Sequence, residues 1–203
     1  ASVASVVFGR SDDGELETVP LEIPASIFQG FFGLGGANIG DVNGDGSPDF
    51  AVIGVQNAFA GSAVVIYFGC AAVCDRSTLS TPDALITANN GRLVSVVAAA
   101  GNFNQRSGDG ATLGDIFLGG SISAQQNPTT AFVVSGRVNW PVLPDSIILD
   151  NDPANSSDGV VVLTVPDGKA GYAGAGVGNI SGDARDDIVF SAGNPSILYR
   201  FNG

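Results

Sequence analysis

The residues best placed to do chemistry lie in one run, Asp41-Val42-Asn43-Gly44-Asp45-Gly46-Ser47-Pro48-Asp49. Side chains that carry oxygen fall at its first, third, fifth and ninth positions, and glycine stands at the sixth. A Ca2+ ion takes roughly six to eight oxygen ligands at short range, so alternate residues of a tight loop must turn inward to reach it. The spacing therefore predicts a Ca2+ loop with Asp41, Asn43, Asp45 and Asp49 as side-chain ligands and the Ser47 carbonyl as a further one. The alternative is an Asx-rich hairpin turn with no ion. Against it, carboxylates this close repel one another unless a cation lies among them. An EF-hand is excluded, because the twelfth position, a bidentate Glu in that motif, is Val52 inside an apolar run.

A gapless second copy of the pattern lies 138 residues downstream, as Asn179, Ser181, Asp183, the Arg185 carbonyl and Asp187. It has fewer carboxylates, Ala184 in place of the glycine, and an arginine within the loop, so a weaker site is expected there. Between the two, Asn102-Phe103-Asn104 runs through Asp109-Gly110 to Asp115 with inserted residues that break the register. A conventional site is not expected in that middle loop.

Such loops need a scaffold, and the chain repeats one. Apolar runs closing on Gly9, Gly69, Gly136 and Gly203 recur at spacings of 60, 67 and 67 residues. Acidic turns that open apolar runs begin at Asp49, Asp115 and Asp187, 66 and 72 residues apart. Two markers sharing one period indicate a repeated supersecondary unit. Each unit reads as four strands. A small, Gly-rich first strand covers Phe32 to Ile39, Leu93 to Gly101, or Gly171 to Gly178. The acidic turn and its strand follow, then the strand ending in glycine. A fourth strand is expected at Leu21 to Ile23, Leu85 to Thr87 and Ile147 to Leu149, with Val160 to Val165 as an extra strand lengthening the third unit. Small residues on the first strands suit a crowded axis where backbones approach closely. The expected layout is a partial unit at 1–30, then units at 31–90, 91–150 and 151–203, all-β, with no helix of three turns.

The run from Phe32-Gly33 to Ala37, into Asp41–Asp49 and Phe50-Ala51-Val52-Ile53-Gly54, resembles the FG-GAP repeat, the blade of integrin-α-type β-propellers and of many secreted bacterial proteins. What the resemblance implies is a four-stranded antiparallel blade with Ca2+ in the hairpin between its first and second strands. It is strongest in the first full unit. Propellers close with at least about four blades, so the three units found here cannot close a ring. Either a longer chain or other copies of this chain would complete it. The N-terminal strand Ala1 to Phe8 is apolar and free of charge and proline, and an unblunted edge of that kind is a template for another chain. Head-to-tail strand addition between subunits, forming a polymer, is therefore expected.

Composition narrows the function classes. With 8 Lys+Arg against 20 Asp+Glu the formal charge is −12, which opposes nucleic-acid binding. There is no histidine, so a Ser-His-Asp or Cys-His nucleophile cannot be built. Carboxylates remain as general acids and bases, but they cluster in turns at metal spacing, so a non-enzymatic role is expected. Apolar runs are far shorter than the ~20 residues that span a bilayer, and no membrane insertion is expected. Cys70 and Cys74 after a strand suit a short disulfide loop in an oxidising, extracellular setting. The expected function is an extracellular, Ca2+-stabilised structural or adhesion module. A carbohydrate-binding propeller, taking a glycan or cell-surface ligand, is the alternative, and a piece of a longer integrin-like chain is another; Trp140 could stack on a sugar, but a packed loop aromatic is the favoured reading of it.

Overall fold

The computed structural model describes residues 4–7, 18–21, 32–55, 61–70, 81–88, 94–104, 113–120, 130–150, 152–165, 170–192 and 197–203. Among these residues the fold is all-β, with fourteen strands in four sheets and no helix. None of the sheets closes on itself. The first sheet is a hairpin of β1 (Ala4–Val7) and β2 (Thr18–Leu21). The second is an antiparallel meander of β3 (Phe32–Gly40), β4 (Asp49–Val55), β5 (Ser62–Tyr67) and β6 (Ala84–Ala88). The third holds β7 (Val96–Gly101), β8 (Asp115–Gly119), β9 (Thr130–Val134) and β11 (Val160–Thr164). The fourth holds β12 (Ala170–Gly178), β13 (Asp187–Ala192) and β14 (Ile197–Phe201).

The sheets pack face on face in chain order, and their sequences show why. Ile53, Ile66 and Ile86 of the second sheet meet Ile116, Leu118 and Phe132 of the third in one core. The opposite face of the third sheet, through Phe117 and Val133, meets Ile188 and Phe190 of the fourth. Val52, Val65 and Tyr67 on the other face of the second sheet pack on Ala4, Val6 and Leu21 of the first. A strand covered on both faces reads as an unbroken apolar run. This is the case for Ser62–Tyr67 and Thr130–Val134, buried at every residue. In the fourth sheet, β13 alternates instead, with Ile188, Phe190 and Ala192 inward and Val189 and Ser191 half exposed, because among the described residues one of its faces carries no sheet.

The first strands of successive repeats lie against each other, β3 on β7 and β7 on β12. The small residues make this approach feasible: a Cβ added to Gly176 would lie 2.6 Å from the Ala99 carbonyl oxygen. Each first strand ends in a bulge with a left-handed glycine opposite the acidic residue of the next strand. The three are Gly40, Gly101 and Gly178, with φ of +79°, +66° and +69°, opposite Asp49, Asp115 and Asp187. A positive φ at an extra residue is what that bulge type requires, and glycine adopts it without steric cost.

Two strand assignments differ from the sequence expectation. Ile147–Leu149 is not the fourth strand of the middle repeat. As β10 it pairs in parallel with β6 of the second sheet, Ile147 opposite Ile86. The fourth strand of the third sheet is Val160–Thr164, antiparallel to β9, and not an addition to the last repeat. The cause is an excursion between β9 and β11. It leaves the third sheet at Arg137, whose N–H donates to the Val42 carbonyl at 2.9 Å, adds β10 to the neighbouring sheet, and returns through an exposed turn at 152–159. Ser157 and Ser156 tie that return to β10, through Ile148 N–H to Ser157 Oγ and Asp150 N–H to Ser156 Oγ, at 2.8 and 2.9 Å. The expected strand ends at Ile23, Phe8 and Leu93, and residues 1–3, lie outside the described residues.

Candidate metal centre

Two kinds of acidic residue occupy the loop between β3 and β4. Asp41 and Asp45 face the loop's own backbone. Asp41 accepts the N–H groups of Gly44 and Gly46 at 2.6 and 2.9 Å. Asp45 accepts the Ser47 N–H at 2.8 Å and the Asn43 amide at 3.0 Å, and Asn43 Oδ1 accepts the Asp45 N–H at 2.9 Å. Burial works to raise the Asp45 carboxyl, but the Asn43 amide and the Ser47 groups outweigh it and hold it below its ordinary value.

Asp49 behaves differently. It is 1% exposed, and its two oxygens accept the Val42 N–H at 2.8 Å and the Gly69 N–H at 2.7 Å. One carboxylate thus fastens the loop on one side and the end of β5 on the other. The third sheet repeats the device: Asp115, 2% exposed, accepts Asn104 N–H at 2.7 Å and Gly136 N–H at 2.9 Å. In the fourth sheet Asp187 accepts Ile180 and Ser181 N–H at 2.8 and 2.7 Å, while its other oxygen is buried and, among the described residues, has no partner. Those N–H bonds and Arg200 override burial and hold the Asp187 carboxyl below its ordinary value. The glycines that close the third strands have a second task. A Cβ on Gly69, Gly136 or Gly203 would overlap the carbonyl oxygen of Pro48, Gly114 or Asp186, the residue just before each anchoring aspartate. The two markers share a period in the sequence, but spacing alone does not show that they touch, and Asp115 is not among the residues the oxygen pattern nominates.

Burial pushes the carboxyls of Asp49 and Asp115 up to about 6, against the lowering effect of their backbone N–H bonds. The unfolded value is near ~3.9. Between those values the folded chain binds more protons, so stability rises as pH falls from 7 towards about 4.5 and is lost as pH climbs back through 6. Urea unfolding in EDTA should give a larger unfolding free energy at pH 5 than at pH 7.5, by about 1–1.5 kcal/mol per residue. A flat or falling profile on acidification would contradict this.

Does the loop suit a cation? Among the described residues, no group of three or more His, Cys, Asp or Glu side chains is gathered round one point at metal distance. Asp41, Asn43 and Asp45 are, however, half buried or exposed oxygen donors bonded within their own loop, Asp45 and Asn43 to each other as well as to backbone. Hard oxygen donors carrying two carboxylates are the set a Ca2+ ion selects. Asp49 is already committed to two N–H groups, which makes it the anchor of the loop. The downstream loop keeps the frame: Gly182 N–H donates to Asn179 Oδ1 and Arg185 N–H to Asp183 Oδ1, both at 2.8 Å, as Gly44 and Ser47 do to Asp41 and Asp45. There the Asn179 amide also donates to the Asp183 carbonyl, closing the loop with a neutral bond where Asp41 has a second acceptor oxygen. Its donor set is the poorer one. In the middle loop, residues 105–112 lie outside the described residues.

Trp140 is a packed loop aromatic, as expected, and is buried. Its Nε1–H donates to the Val42 carbonyl at 3.1 Å, and Arg137 lies over its ring at 5.3 Å. Cys70 is disulfide-bonded; the one other cysteine, Cys74, lies outside the described residues. No family model matches the chain, and no curated protein matches it.

Proposed function

We propose that the chain is a non-enzymatic, extracellular module of FG-GAP-type blades, braced by Ca2+ at Asp41, Asn43, Asp45 and the Ser47 carbonyl, that serves a structural or adhesive role by assembling with copies of itself. The observation that supports it most is the recurrence, in three successive sheets, of one junction: bulge glycine, loop, anchoring aspartate. The loops at 41–49 and 179–187 share one backbone frame, as two copies of one binding loop would. In both internal junctions, the loop carbonyl at the first position takes a backbone N–H from the next sheet, Gly114 to Asp41 at 2.8 Å and Asp186 to Asn102 at 3.0 Å. A cation that stiffens a loop would therefore stiffen the contact between sheets. The disulfide at Cys70 supports an oxidising compartment. A glycan-binding role draws nothing from Trp140, whose polar atom and ring are both occupied.

Electron microscopy of the purified chain in Ca2+ and after EDTA tests this proposal. Extended or closed multi-copy particles in Ca2+ that shorten or disperse in EDTA are expected. Single, unassociated particles under both conditions would overturn it.

A further inference from the structure

We propose that a second copy of this chain docks head to tail on the outer face of the fourth sheet, repeating between molecules the junction that the chain makes twice within itself. This deepens the self-assembly part of the proposed function and rests on it. In the first internal junction, Ile39 and Val42 are wholly buried beneath the third sheet. In the second, Ala100 and Phe103, at the same two places relative to the bulge glycine, are buried beneath the fourth. The third copy of the pair is Val177 and Ile180. Both are apolar again, yet they stand 39% and 54% exposed, because among the described residues no sheet follows.

The complementary half is exposed at the other end of the stack. Along β3, Ala37 and Ile39 face the third sheet, and the residues alternating with them, Leu34, Gly36 and Asn38, are exposed. Leu34 is 59% exposed. In the third sheet Val97, on the corresponding face of β7, is buried against the sheet before it. Among the described residues the first sheet covers Phe32, Val52, Val65 and Tyr67 of the second and leaves Leu34, Gly36 and Asn38 exposed. A chain cannot join its own two halves, since its third sheet and most of its second lie between them. A second copy can.

The match is partial in an informative way. Ser191 and Arg200 stand where Ile53 and Ile66 stand in the second sheet, and Pro48, the counterpart of Gly114 and Asp186, has no N–H to donate. A face that must also exist free in water carries fewer apolar residues than a permanent one. The contact is thus confined to the first strands and their loops, β12 and its loop on one copy and β3 on the other. It is heterologous, one patch meeting a different patch, so it builds rings or filaments according to whether the rotation closes.

The test uses two variants of the whole chain, Ile180→Glu and Leu34→Glu, both at exposed positions, with Val177→Glu as a second change on the Ile180 side. Thermal melts establish that each folds as the wild type does. Sedimentation velocity in Ca2+ then reads the assemblies. Each variant alone should stay monomeric at concentrations where the wild type assembles, its head-to-tail affinity weakened at least about tenfold by burying an unpaired charge. An equimolar mixture of Ile180→Glu and Leu34→Glu should form one-to-one dimers and stop there, because each partner keeps one good patch. If the wild type itself never assembles, the self-assembly proposal fails and this one with it. If the wild type assembles and either variant does so equally well, or the mixture stays monomeric, this junction is wrong while self-assembly stands.

Discussion

Asp115→Ala should lower the unfolding free energy by about 3–4 kcal/mol at pH 7, more than any surface change in this chain. The carboxylate accepts the backbone N–H groups of Asn104 and Gly136, and it is 2% exposed, so water cannot replace it. A buried donor left without an acceptor costs about 1–3 kcal/mol, and two such donors cost roughly 2–6. Removing a desolvated charge returns part of that, which sets the expected net loss below the upper bound. Asp115→Asn is the informative companion. It keeps the volume and one acceptor oxygen, so it should cost only about 1–2 kcal/mol. It should also abolish Asp115's share of the stability gain on acidification, since the amide does not titrate. Chemical denaturation of the three chains at pH 5 and 7.5 checks both. A loss below about 1 kcal/mol for the alanine variant would mean that the loop and the end of β9 are held by something else.

Ca2+ should raise the melting temperature of the wild-type chain by about 5–10 °C at a Ca2+ concentration about a hundredfold above the dissociation constant. Mass action at that ratio contributes about 2.7 kcal/mol. For a chain of 203 residues, 1 kcal/mol moves the midpoint by roughly 2–4 °C. Extracellular Ca2+ modules bind with constants near ~10⁻⁴–10⁻³ M, so 10 mM Ca2+ is about a hundredfold above the tighter limit and about tenfold above the weaker one, where the shift falls to about 3–6 °C. Asp45→Ala should remove most of the response while leaving the melt in EDTA nearly unchanged, because Asp45 is exposed and its hydrogen bonds are to its own loop. Asp49→Ala should instead lower the melt in EDTA and Ca2+ alike, because Asp49 holds the frame. The contrast separates a ligand from an anchor.

Much of the architecture was legible in the residues because the sheets are built from one repeated unit. Unbroken apolar runs such as Ser62–Tyr67 announced strands covered on both faces, and Gly40, Gly101 and Gly178 marked where each first strand bends into its loop. What the residues did not reveal was partnership. Ile147–Leu149 and Val160–Thr164 are both short apolar runs with strand character, and nothing local to either says which sheet it joins. That was decided by contacts remote in sequence: Arg137 and Trp140 on the Val42 carbonyl, and Thr87 Oγ1 at 2.9 Å from Ser146 Oγ. The loop was legible in the same incomplete way. Its oxygen spacing was visible, but the separation of Asp49 from Asp41 and Asp45 was not, since Asp49 acquires its role from the N–H of Gly69, brought to it by the antiparallel pairing of β5 with β4.

The claim that the loop at 41–49 grips a divalent cation is tested most directly by titrating Ca2+ into the metal-free wild-type chain and into Asp45→Ala in a calorimeter. A saturable site on the wild type with a dissociation constant near ~10⁻⁴–10⁻³ M, lost in Asp45→Ala, is the expected result. Absence of saturable binding to the wild type up to about 10 mM Ca2+, well above that range, would contradict it and leave the loop a turn held by its own hydrogen bonds.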